Sequence, residues 1–443
     1  MSAFTRRQIL RTGLGYATAG GFAFVGGGCL LDPPKGTRVM GRRVAPTEWT
    51  IAGGPPPAAG PVLGGPAVLL RAPAGSSVAS AMLVRTQPVD LRNRALRLRL
   101  RLEEDAAENL ERIDVRIGAG LTAFESSSFQ SVVIRDRVDG FNSEYLKPGE
   151  DVVLTLGPAS FAGARLDEGL FYDTLQDFAI TIVSRPGRGA AVALGVLDVV
   201  AGPAKRPRGI VSFCFDDGLI STRTRALPVL SRHGFPATSF LIGDLLGEAG
   251  YLDGAGVRSL VDAGWEAAPH AESIALHNAP DGVVGVSPGR LLADWGAQRR
   301  ALRSAALGRA VDYAYPRGRF DRDTLQALAR FGHFATARTE NFRSIETLPP
   351  ADPLRLRTIS YNQSVPIGPP DRVGSIMWRI AQTAAYGGWL ILSFHDIVDG
   401  VPAGSAIRTS DFERIVGFVA RKRVPVRTIA QVRREVFGEG SQK

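Results

Sequence analysis

In the first half of the chain, apolar and polar residues alternate along short segments that are separated by turn-forming residues. The clearest of these segments are residues 95–102, 113–117, 151–156, 178–183 and 191–197. Strict alternation buries one face of a strand and leaves the other face wet, which is typical of antiparallel sheets. We therefore predict an all-β sandwich over residues 66–201, with carbohydrate binding as a candidate role.

After residue 209 the pattern changes, because continuous apolar runs now alternate with segments of helical periodicity. The strand-like runs are residues 210–215, 238–242, 264–268, 311–315, 333–337, 354–360 and 388–394, and helical patterns cover 253–263, 287–306 and 323–330. Such alternation favours a mainly parallel sheet, and roughly seven strands in about 230 residues favour a barrel. The predicted fold class is α/β, with a distorted (β/α)7-type barrel over residues 207–437. We place the domain boundary in the segment 202–209, which is rich in proline and charge.

The amino terminus carries the pattern of an export signal. The stretch Thr5-Arg6-Arg7-Gln8-Ile9-Leu10-Arg11 resembles the twin-arginine motif, and a weakly apolar stretch rich in glycine and alanine follows it. This stretch is too short and too rich in glycine for a membrane span. We interpret residues 1–29 as a signal peptide and residues 30–65 as a flexible tether. Export by the twin-arginine route implies a periplasmic or cell-envelope location.

Two cysteines occur, and they predict different environments. Cys214 lies inside an apolar run and is interpreted as a small core residue. Cys29 follows three glycines at a position that resembles a lipoprotein acylation site, although the usual leucine three residues earlier is absent. A lipid anchor at Cys29 and an unmodified leader are both kept as hypotheses.

The formal net charge of +10 does not indicate a nucleic-acid partner, because the basic residues do not gather into a helix with interleaved aromatic residues. Arg97, Arg99 and Arg101 share one face of the segment 95–102. A solvated strand face is one interpretation of these arginines, and a contact with carbohydrate or another polyanion is the other. The oligomeric state is left open.

Residues capable of acid–base chemistry recur directly after the predicted strands of the second half. They are Asp216-Asp217, His270, the turn Tyr315-Pro316-Arg317-Gly318, and His395. Two adjacent carboxylates at the end of an apolar run are costly unless a cation or a proton compensates them. An Asx turn before Gly218 would explain the pair by itself. The recurrence at strand ends, however, indicates a shared pocket.

These residues resemble the motifs of the NodB-like polysaccharide deacetylases, carbohydrate esterase family four. The family pattern is Phe-Asp-Asp-Gly, then a His-(Ser/Thr)-x-x-His motif, a proline-tyrosine-glycine turn and a late strand-end histidine. The resemblance covers about residues 207–435, and its most specific parts are the first motif at 215–218 and His395. It implies a hydrolase that removes acetyl groups by acting on carbon–nitrogen bonds other than peptide bonds. It also implies a divalent metal, Zn or alternatively Co or Ni.

Carried over position by position, the resemblance implies a role for each residue. Asp216 would be the general base and His395 the general acid. Asp217 and His270 would be metal ligands, and the metal would lower the pKa of bound water and polarise the acetyl carbonyl. The turn Tyr315-Pro316-Arg317 would face the substrate, where a backbone amide would help to stabilise the oxyanion.

The sequence departs from the family pattern at the second metal histidine. Ile274 stands there, four residues after His270, and the next histidine is His277. A continuous helix would separate residues seven apart by about 10.5 Å, whereas two nitrogen ligands of one metal lie only some ~3 Å apart. His277 is therefore a candidate ligand only if the segment is a loop. Glu272 is the other candidate, and an incomplete site with His277 on the surface is the alternative.

A second departure is Ala314, where many family members carry an arginine that orients the base. Arg317 is a candidate for supplying that charge from the turn, and an exposed charge without that role is the alternative. Taken together, these features predict an exported bacterial deacetylase acting on N-acetyl or O-acetyl groups of a surface or cell-wall polysaccharide. The competing hypothesis is a catalytically eroded member that binds carbohydrate without turnover.

Overall fold

The computed structural model describes residues 39–51, 58–74, 78–83, 89–92, 94–103, 109–118, 128–132, 146–161, 175, 177–201, 209–279, 282–304, 311–332, 334–340, 344–361 and 371–437. The predicted signal peptide, with the twin-arginine motif and Cys29, lies outside the described residues. So does most of the predicted domain boundary at 202–209.

The described residues from 39 to 201, here called the β region, form antiparallel strands. These are β1 (Val39–Val44), β2 (Thr50–Ile51), β3 (Ala58–Val62), β4 (Gly65–Ala72), β5 (Val78–Leu83), β6 (Arg94–Leu102), β7 (Leu110–Gly118), β8 (Ser128–Val132), β9 (Asp151–Leu156), β10 (Asp177–Ser184) and β11 (Ala190–Ala201). One sheet has the order β3-β4-β11-β6-β9, with β1 also paired to the long strand β11. The other has the order β2-β5-β10-β7-β8. Each predicted alternating segment therefore corresponds to a strand.

The two sheets of the β region share one apolar core. Leu96, Leu98 and Leu100 of β6 and Leu154 of β9 enter it from the first sheet, and Ile113 of β7 lies in the same cluster from the second. The side chains alternate because successive residues of a strand point to opposite faces. The alternating pattern in the sequence thus reports the inner face of each sheet.

The arginines on the other face of β6 are engaged in ion pairs. Arg97 Nη2 and Arg99 Nη1 both lie 2.7 Å from Asp198 Oδ2, and Asp198 is fully buried. Burial raises the pKa of Asp198, but the hydrogen bonds from Arg97 and Arg99 outweigh it and hold that pKa below its usual range. Arg101 pairs with Glu103 and Asp151 at 3.2 and 3.4 Å. The face is thus not simply solvated, which corrects the first interpretation offered from the sequence, and contact with carbohydrate or another polyanion stays a prediction.

The predicted tether over residues 30–65 also differs from the structure. Strands β1, β2 and β3 lie within it, and Trp49 is fully buried in the core of the β region. Among the described residues, Pro46 begins a 3-10 turn, and Gly60 and Pro61 lie on the edge strand β3, where not every backbone group needs a ladder hydrogen bond. Residues 39–51 and 58–65 are therefore part of the folded β region.

The described residues from 209 to 437, here called the α/β region, alternate strands and helices. The strands are β12 (Ile210–Phe215), β13 (Thr238–Ile242), β14 (Glu266–Ala271), β15 (Asp312–Ala314), β16 (Thr336–Arg338), β17 (Ile359–Ser360), β18 (Trp389–Phe394), β19 (Ile397–Val398) and β20 (Ile407–Arg408). The helices are α1 (Leu227–Ser231), α2 (Gly254–Asp262), α3 (Ile274–His277), α4 (Pro288–Ser304), α5 (Arg322–Phe331), α6 (Arg372–Tyr386), α7 (Thr409–Lys422) and α8 (Ile429–Phe437). Among the described residues, none of these helices has the length and apolar character to cross a bilayer.

The α/β class is confirmed, but a closed barrel is not. Within the described residues, β14-β13-β12-β18-β17 form one parallel sheet, and β15-β16 form a separate parallel pair. The pair approaches the sheet through Leu356, whose N–H donates to Ala337 O at 2.9 Å and whose carbonyl accepts from Thr339 N at 2.9 Å. The predicted strand over 354–360 is only partly formed, because Asp352 caps a 3-10 turn that begins at Pro353.

Residues 146–161 of the β region pack directly against residues 344–357 of the α/β region. Arg357 is fully buried, pairs with the buried Glu346, and donates from Nη2 to Thr155 O at 2.8 Å. Ser160 Oγ donates to Ile345 O at 2.7 Å. A buried ion pair is costly unless all its polar atoms are satisfied, so the β region supplies part of what this pair requires.

Candidate metal centre

The side chains predicted for the site lie at the carboxyl ends of parallel strands. Asp216 follows β12, His270 is near the end of β14, Tyr315 follows β15 and His395 follows β18. Because neighbouring parallel strands end at the same edge of a sheet, their following residues are brought together. Two clusters result: Asp217, His270 and His277 in one, and Asp216, Glu340 and His395 in the other, each with ligand-capable atoms within 4.8 Å of one another.

The backbone explains how two adjacent aspartates serve two clusters. Asp216 N still donates to Phe394 O at 2.9 Å, so Asp216 continues the edge of the sheet. Asp217 has φ 68°, in the left-handed region that non-glycine residues seldom adopt, and Gly218 follows with φ 76°. This turn reverses the strand alternation, so the two carboxylates enter neighbouring parts of one pocket.

The Asp216 carboxylate is paired with an arginine that the sequence analysis did not identify. Arg338, at the end of β16, donates from Nη2 to Asp216 Oδ1, and both residues are only 1% exposed. Its guanidinium also lies 4.5 Å from the centre of the Phe240 ring. Burial raises the pKa of Asp216, but Arg338, His395 and His270 outweigh it, so that pKa is lowered. Asp216 is therefore a buried carboxylate that stays ionised.

The position of Arg338 bears on the departure at Ala314. In the β15-β16 ladder, Ala314 and Arg338 are direct register partners. The arginine that would be expected on β15 thus has a counterpart one strand away. Arg317, the candidate named from the sequence, instead reaches Asn278 O from Nη1 at 3.4 Å.

His270 has a defined tautomer. Its Nδ1 lies 2.9 Å from the carbonyl oxygen of Ala314, which can only accept a hydrogen bond, so Nδ1 carries the hydrogen. The Nε2 lone pair then faces the pocket. Burial, reinforced by the nearby His277, lowers the pKa of His270 to about 4, so the ring is neutral near pH 7. A buried neutral imidazole of this kind is a typical metal ligand.

His277 lies beside His270 despite the spacing in the sequence. After β14 the chain turns at residues 272–273 and enters the one-turn helix α3, whose last residue is His277. Its Nε2 is 3.1 Å from His270 Nε2 and 3.3 Å from Asp217 Oδ1. Its Nδ1 lies 3.1 Å from Asn278 Oδ1, an acceptor that fixes Nε2 as the atom facing the pocket. Residues 270–277 are therefore not one continuous helix, which is the condition under which His277 is a candidate ligand.

The donor atoms fit a divalent cation. If each ring holds its hydrogen on Nδ1, the two Nε2 lone pairs face one another at 3.1 Å, which is unfavourable without a positive charge between them. Asp217 Oδ1 is buried, has no hydrogen-bond partner within the described part of the chain, and lies 3.8 Å from His270 Nε2. Two nitrogens bound to one tetrahedral metal at 2.0–2.1 Å lie roughly 3.3 Å apart. The hydrogen bonds at both Nδ1 atoms are those that metal-bound histidines usually make.

The second cluster surrounds Asp216. His395 Nε2 lies 4.0 Å from Asp216 Oδ2, and Glu340 is buried beside both residues. Burial disfavours a charged His395, but Asp217, Asp216 and Glu340 outweigh it and raise its pKa. Burial raises the pKa of Glu340. Glu340 was not identified from the sequence, because it lies in a loop after β16 without a recognisable motif.

In the predicted substrate turn, the side chain of Tyr315 packs in the core, unlike the aspartates and histidines of the two clusters. The Tyr315 ring is buried and stacked on Phe320 at 4.8 Å, and its hydroxyl donates to Leu354 O at 2.8 Å. Pro316 has no N–H to offer. Arg317 is therefore the first residue after Tyr315-Pro316 that has a backbone N–H. Its backbone lies in the left-handed region, at φ 57°. The alternative ligand Glu272 packs against Gly243 and is not part of either cluster.

The fold and site thus define an α/β protein with a candidate cation centre at the carboxyl ends of its parallel strands. Residues 204–335 match the family model of polysaccharide deacetylases, so this segment is a polysaccharide deacetylase domain. Asp216, Asp217, His270 and His277 fall inside the matched range, whereas Arg338, Glu340 and His395 lie beyond it. No curated protein matches the chain.

Several solved structures are similar to parts of the chain. A family 4 carbohydrate esterase from Streptomyces lividans, in complex with acetate, is 18% identical and has a TM-score of 0.34, covering 49% of this chain and 91% of its own. A family 4 acetyl xylan esterase from Clostridium thermocellum, in complex with cobalt, is 15% identical, with a TM-score of 0.34 and coverages of 51% and 90%. A CE4 family pseudoenzyme from Bacillus anthracis is 15% identical, with a TM-score of 0.35 and coverages of 51% and 65%.

Proposed function

We propose that this chain is a metal-dependent carbohydrate deacetylase that hydrolyses N-acetyl or O-acetyl groups on a surface or cell-wall polysaccharide. The observation that carries the proposal is the convergence of His270 Nε2, His277 Nε2 and Asp217 Oδ1 next to the ionised Asp216. The family match over residues 204–335 supports a carbohydrate substrate.

Asp217, His270 and His277 would hold the metal, Zn²⁺ or alternatively Co²⁺ or Ni²⁺. When bound, the cation would lower the pKa of a water molecule and polarise the acetyl carbonyl. Asp216 would take the proton of the attacking water, because Arg338 keeps its buried carboxylate ionised. His395 would deliver a proton to the leaving amine or alkoxide, and its raised pKa keeps a protonated population available.

In the proposed reaction, one proton leaves the water for Asp216 and one leaves His395 for the departing group. Return of a proton from Asp216 to His395 restores both residues. The products are acetic acid and a free amino or hydroxyl group, and the acid ionises to acetate by losing its proton to the amine or to solvent. Asp216 Oδ2 and His395 Nε2 lie 4.0 Å apart, so the accepting and donating groups are neighbours. The backbone amide of Arg317 is our candidate for the oxyanion donor.

Acetate release tests the proposal directly. The purified full chain, stripped with a chelator and reloaded with Zn²⁺, is expected to release acetate from N-acetylated or O-acetylated oligosaccharides only after reloading. Asp217→Ala should lose metal retention and activity together, because it removes a ligand atom. Asp262→Ala, at the exposed end of α2, is the matched control and should behave as the unchanged protein. Absence of both bound metal and acetate release would leave the carbohydrate-binding alternative.

We further propose that residues 1–29 direct export by the twin-arginine route to the periplasm or cell envelope. The motif around Arg6-Arg7 supports this location. Replacing both arginines with lysine should leave the protein in the cytoplasm on cell fractionation. Incorporation of labelled fatty acid, lost in Cys29→Ser, would establish lipid anchoring.

A further inference from the structure

The separation of His270 and His277 along the chain has to be overcome by the fold. The two residues are seven positions apart, yet their Nε2 atoms are 3.1 Å apart. His270 is fixed by β14 and by its hydrogen bond to Ala314 O. His277 is the last residue of the one-turn helix α3, so its place depends on the direction in which α3 leaves the strand. The turn between them, residues 271–274, therefore determines whether the two nitrogens meet.

The polar backbone groups of this turn bind side chains from other elements. Asp294 of α4 accepts hydrogen bonds from Glu272 N and Ser273 N, each at 3.1 Å. Asp244, in a 3-10 turn after β13, accepts from Ile274 N at 2.9 Å. Gln298 of α4 donates from Nε2 to Ala271 O at 2.7 Å. Three consecutive N–H groups and one carbonyl are thus held from outside the turn.

Helix α4 supplies two of these three side chains. Asp294 and Gln298 are four residues apart and therefore lie on the same face of the helix. Gln298 also donates to Leu241 O of β13 at 2.5 Å, which ties α4 to two adjacent strands. Asp294 and Gln298 are both buried, so they bind the turn in a fixed arrangement.

We propose that Asp294 and Asp244 are positioning residues of the metal centre, which hold α3 so that His277 faces His270. The inference rests on the proposed metal site. It adds the hydrogen bonds that allow two histidines seven residues apart to bind the same metal. Loss of Asp294 frees two N–H groups of the turn and lets α3 move, while His270 stays anchored to Ala314. The expected consequence is a weakened third ligand in a protein that remains folded.

Zn²⁺ titration of the metal-free full chain by calorimetry tests this inference. Asp294→Ala is expected to bind Zn²⁺ roughly 10- to 100-fold more weakly, the range typical of residues that orient metal ligands. Asp294→Asn keeps one acceptor oxygen and should lose less affinity. Asp244→Ala, at an exposed position, should also weaken binding and covers the case in which the buried Asp294→Ala fails to fold.

Asp371→Ala is the matched control. Asp371 caps α6 by accepting from Gly374 N at 2.7 Å, so its loss removes a comparable carboxylate–backbone bond away from the centre. Its thermal stability should fall, whereas its Zn²⁺ affinity should match that of the unchanged protein. Unchanged affinity in both Asp294→Ala and Asp244→Ala would overturn the inference while leaving the metal site intact. Absence of Zn²⁺ binding by the unchanged protein would instead overturn the proposed function and the inference with it.

Discussion

Arg338 shows how much of the site depends on a single side chain. Its guanidinium pairs with the buried carboxylate of Asp216, and a buried charge without a partner is strongly unfavourable. In the proposed reaction, Asp216 acts as a base at neutral pH only while this partner keeps the pKa of its carboxyl low. The arginine is therefore expected to control the pH range of the reaction as well as the orientation of the base.

Arg338→Met is predicted to raise the pKa of Asp216, because burial then acts without the compensating charge. Asp216 must be ionised to accept a proton, so the acidic limb of the kcat/KM–pH profile should move to higher pH. At neutral pH, kcat/KM should fall roughly 10- to 100-fold. A profile with the same acidic limb as the unchanged protein would contradict this role.

The register of β15 and β16 offers a rescue experiment for the same residue. Ala314 lies opposite Arg338, so the double variant Ala314→Arg, Arg338→Ala moves the charge to the neighbouring strand. The acidic limb should return toward its original position in this variant. Rescue would separate an electrostatic role from a purely structural one, because a structural defect would not follow the charge.

At this scale the sequence predicted the aspartates and histidines of the pocket but not their partners. Asp216, Asp217, His270 and His395 follow apolar runs, so their positions at strand ends could be inferred. Arg338 ends a short strand without a distinctive pattern and Glu340 follows it, and the place of both residues in the site arises from strand pairing. His277 was identified as a candidate, although the sequence alone left Glu272 and an incomplete site as alternatives.

Among the secondary-structure elements, the 3-10 turn Pro316–Gly318 places the loop after β15 against Glu340 of the second cluster. Gly318 has φ 67°, and a Cβ built there would lie 2.4 Å from Glu340 Cβ and 2.6 Å from Glu340 N. Glycine is therefore required for two independent reasons, the left-handed backbone and the close approach. The turn therefore packs directly against the backbone of Glu340, with no room for a side chain at residue 318.

Gly318→Ala is predicted to destabilise the protein and to reduce activity, because Glu340 and the loop must move. Gly332→Ala is the matched control: Gly332 has a similar φ of 61°, but its added Cβ would meet only Ala329 O, at 4.0 Å. The control should cost about 1–2 kcal/mol from backbone strain and keep its activity. Urea denaturation and kcat measurements compare the two, and equal losses of activity would contradict the role given to Gly318.

Elements could be predicted from the sequence where burial is continuous. Strands β12 and β13 have the predicted bounds, since uninterrupted apolar runs flanked by turn residues specify them. The predicted bounds were less accurate for the strand over 354–360. A 3-10 turn that is capped by Asp352 and begins at Pro353 occupies the first part of that segment. The helix α3 could not be anticipated, because its single turn depends on carboxylates from distant parts of the chain.

For the whole molecule, the contact between the β region and the α/β region is the largest difference from expectation. The sequence predicts two domains separated at 202–209, and that division stays a prediction. The described residues nevertheless share buried polar contacts, with Thr155 Oγ1 2.5 Å from Thr347 Oγ1 and Arg357 bound to Thr155 O. Such contacts arise from the final packing, so no local pattern in the sequence reports them.

The buried pair Arg357–Glu346 is predicted to couple the two regions in unfolding. Arg357→Met leaves Glu346 buried without its partner and should lower the free energy of unfolding by about 3–5 kcal/mol. Arg427→Met, which breaks the exposed pair with Glu435, should cost less than about 1 kcal/mol. Calorimetry should show one transition that shifts as a unit in Arg357→Met. Two separate transitions, with only one affected, would contradict the coupling.

The central claim is that Asp217, His270 and His277 together bind one divalent cation. Its most direct test is anomalous diffraction from crystals of the full chain loaded with Co²⁺. We expect a single strong peak in the pocket, about 2.0–2.2 Å from one carboxylate oxygen and two imidazole nitrogens. A peak that lacks His277 among its ligands, or no peak between the two histidines, would contradict the account.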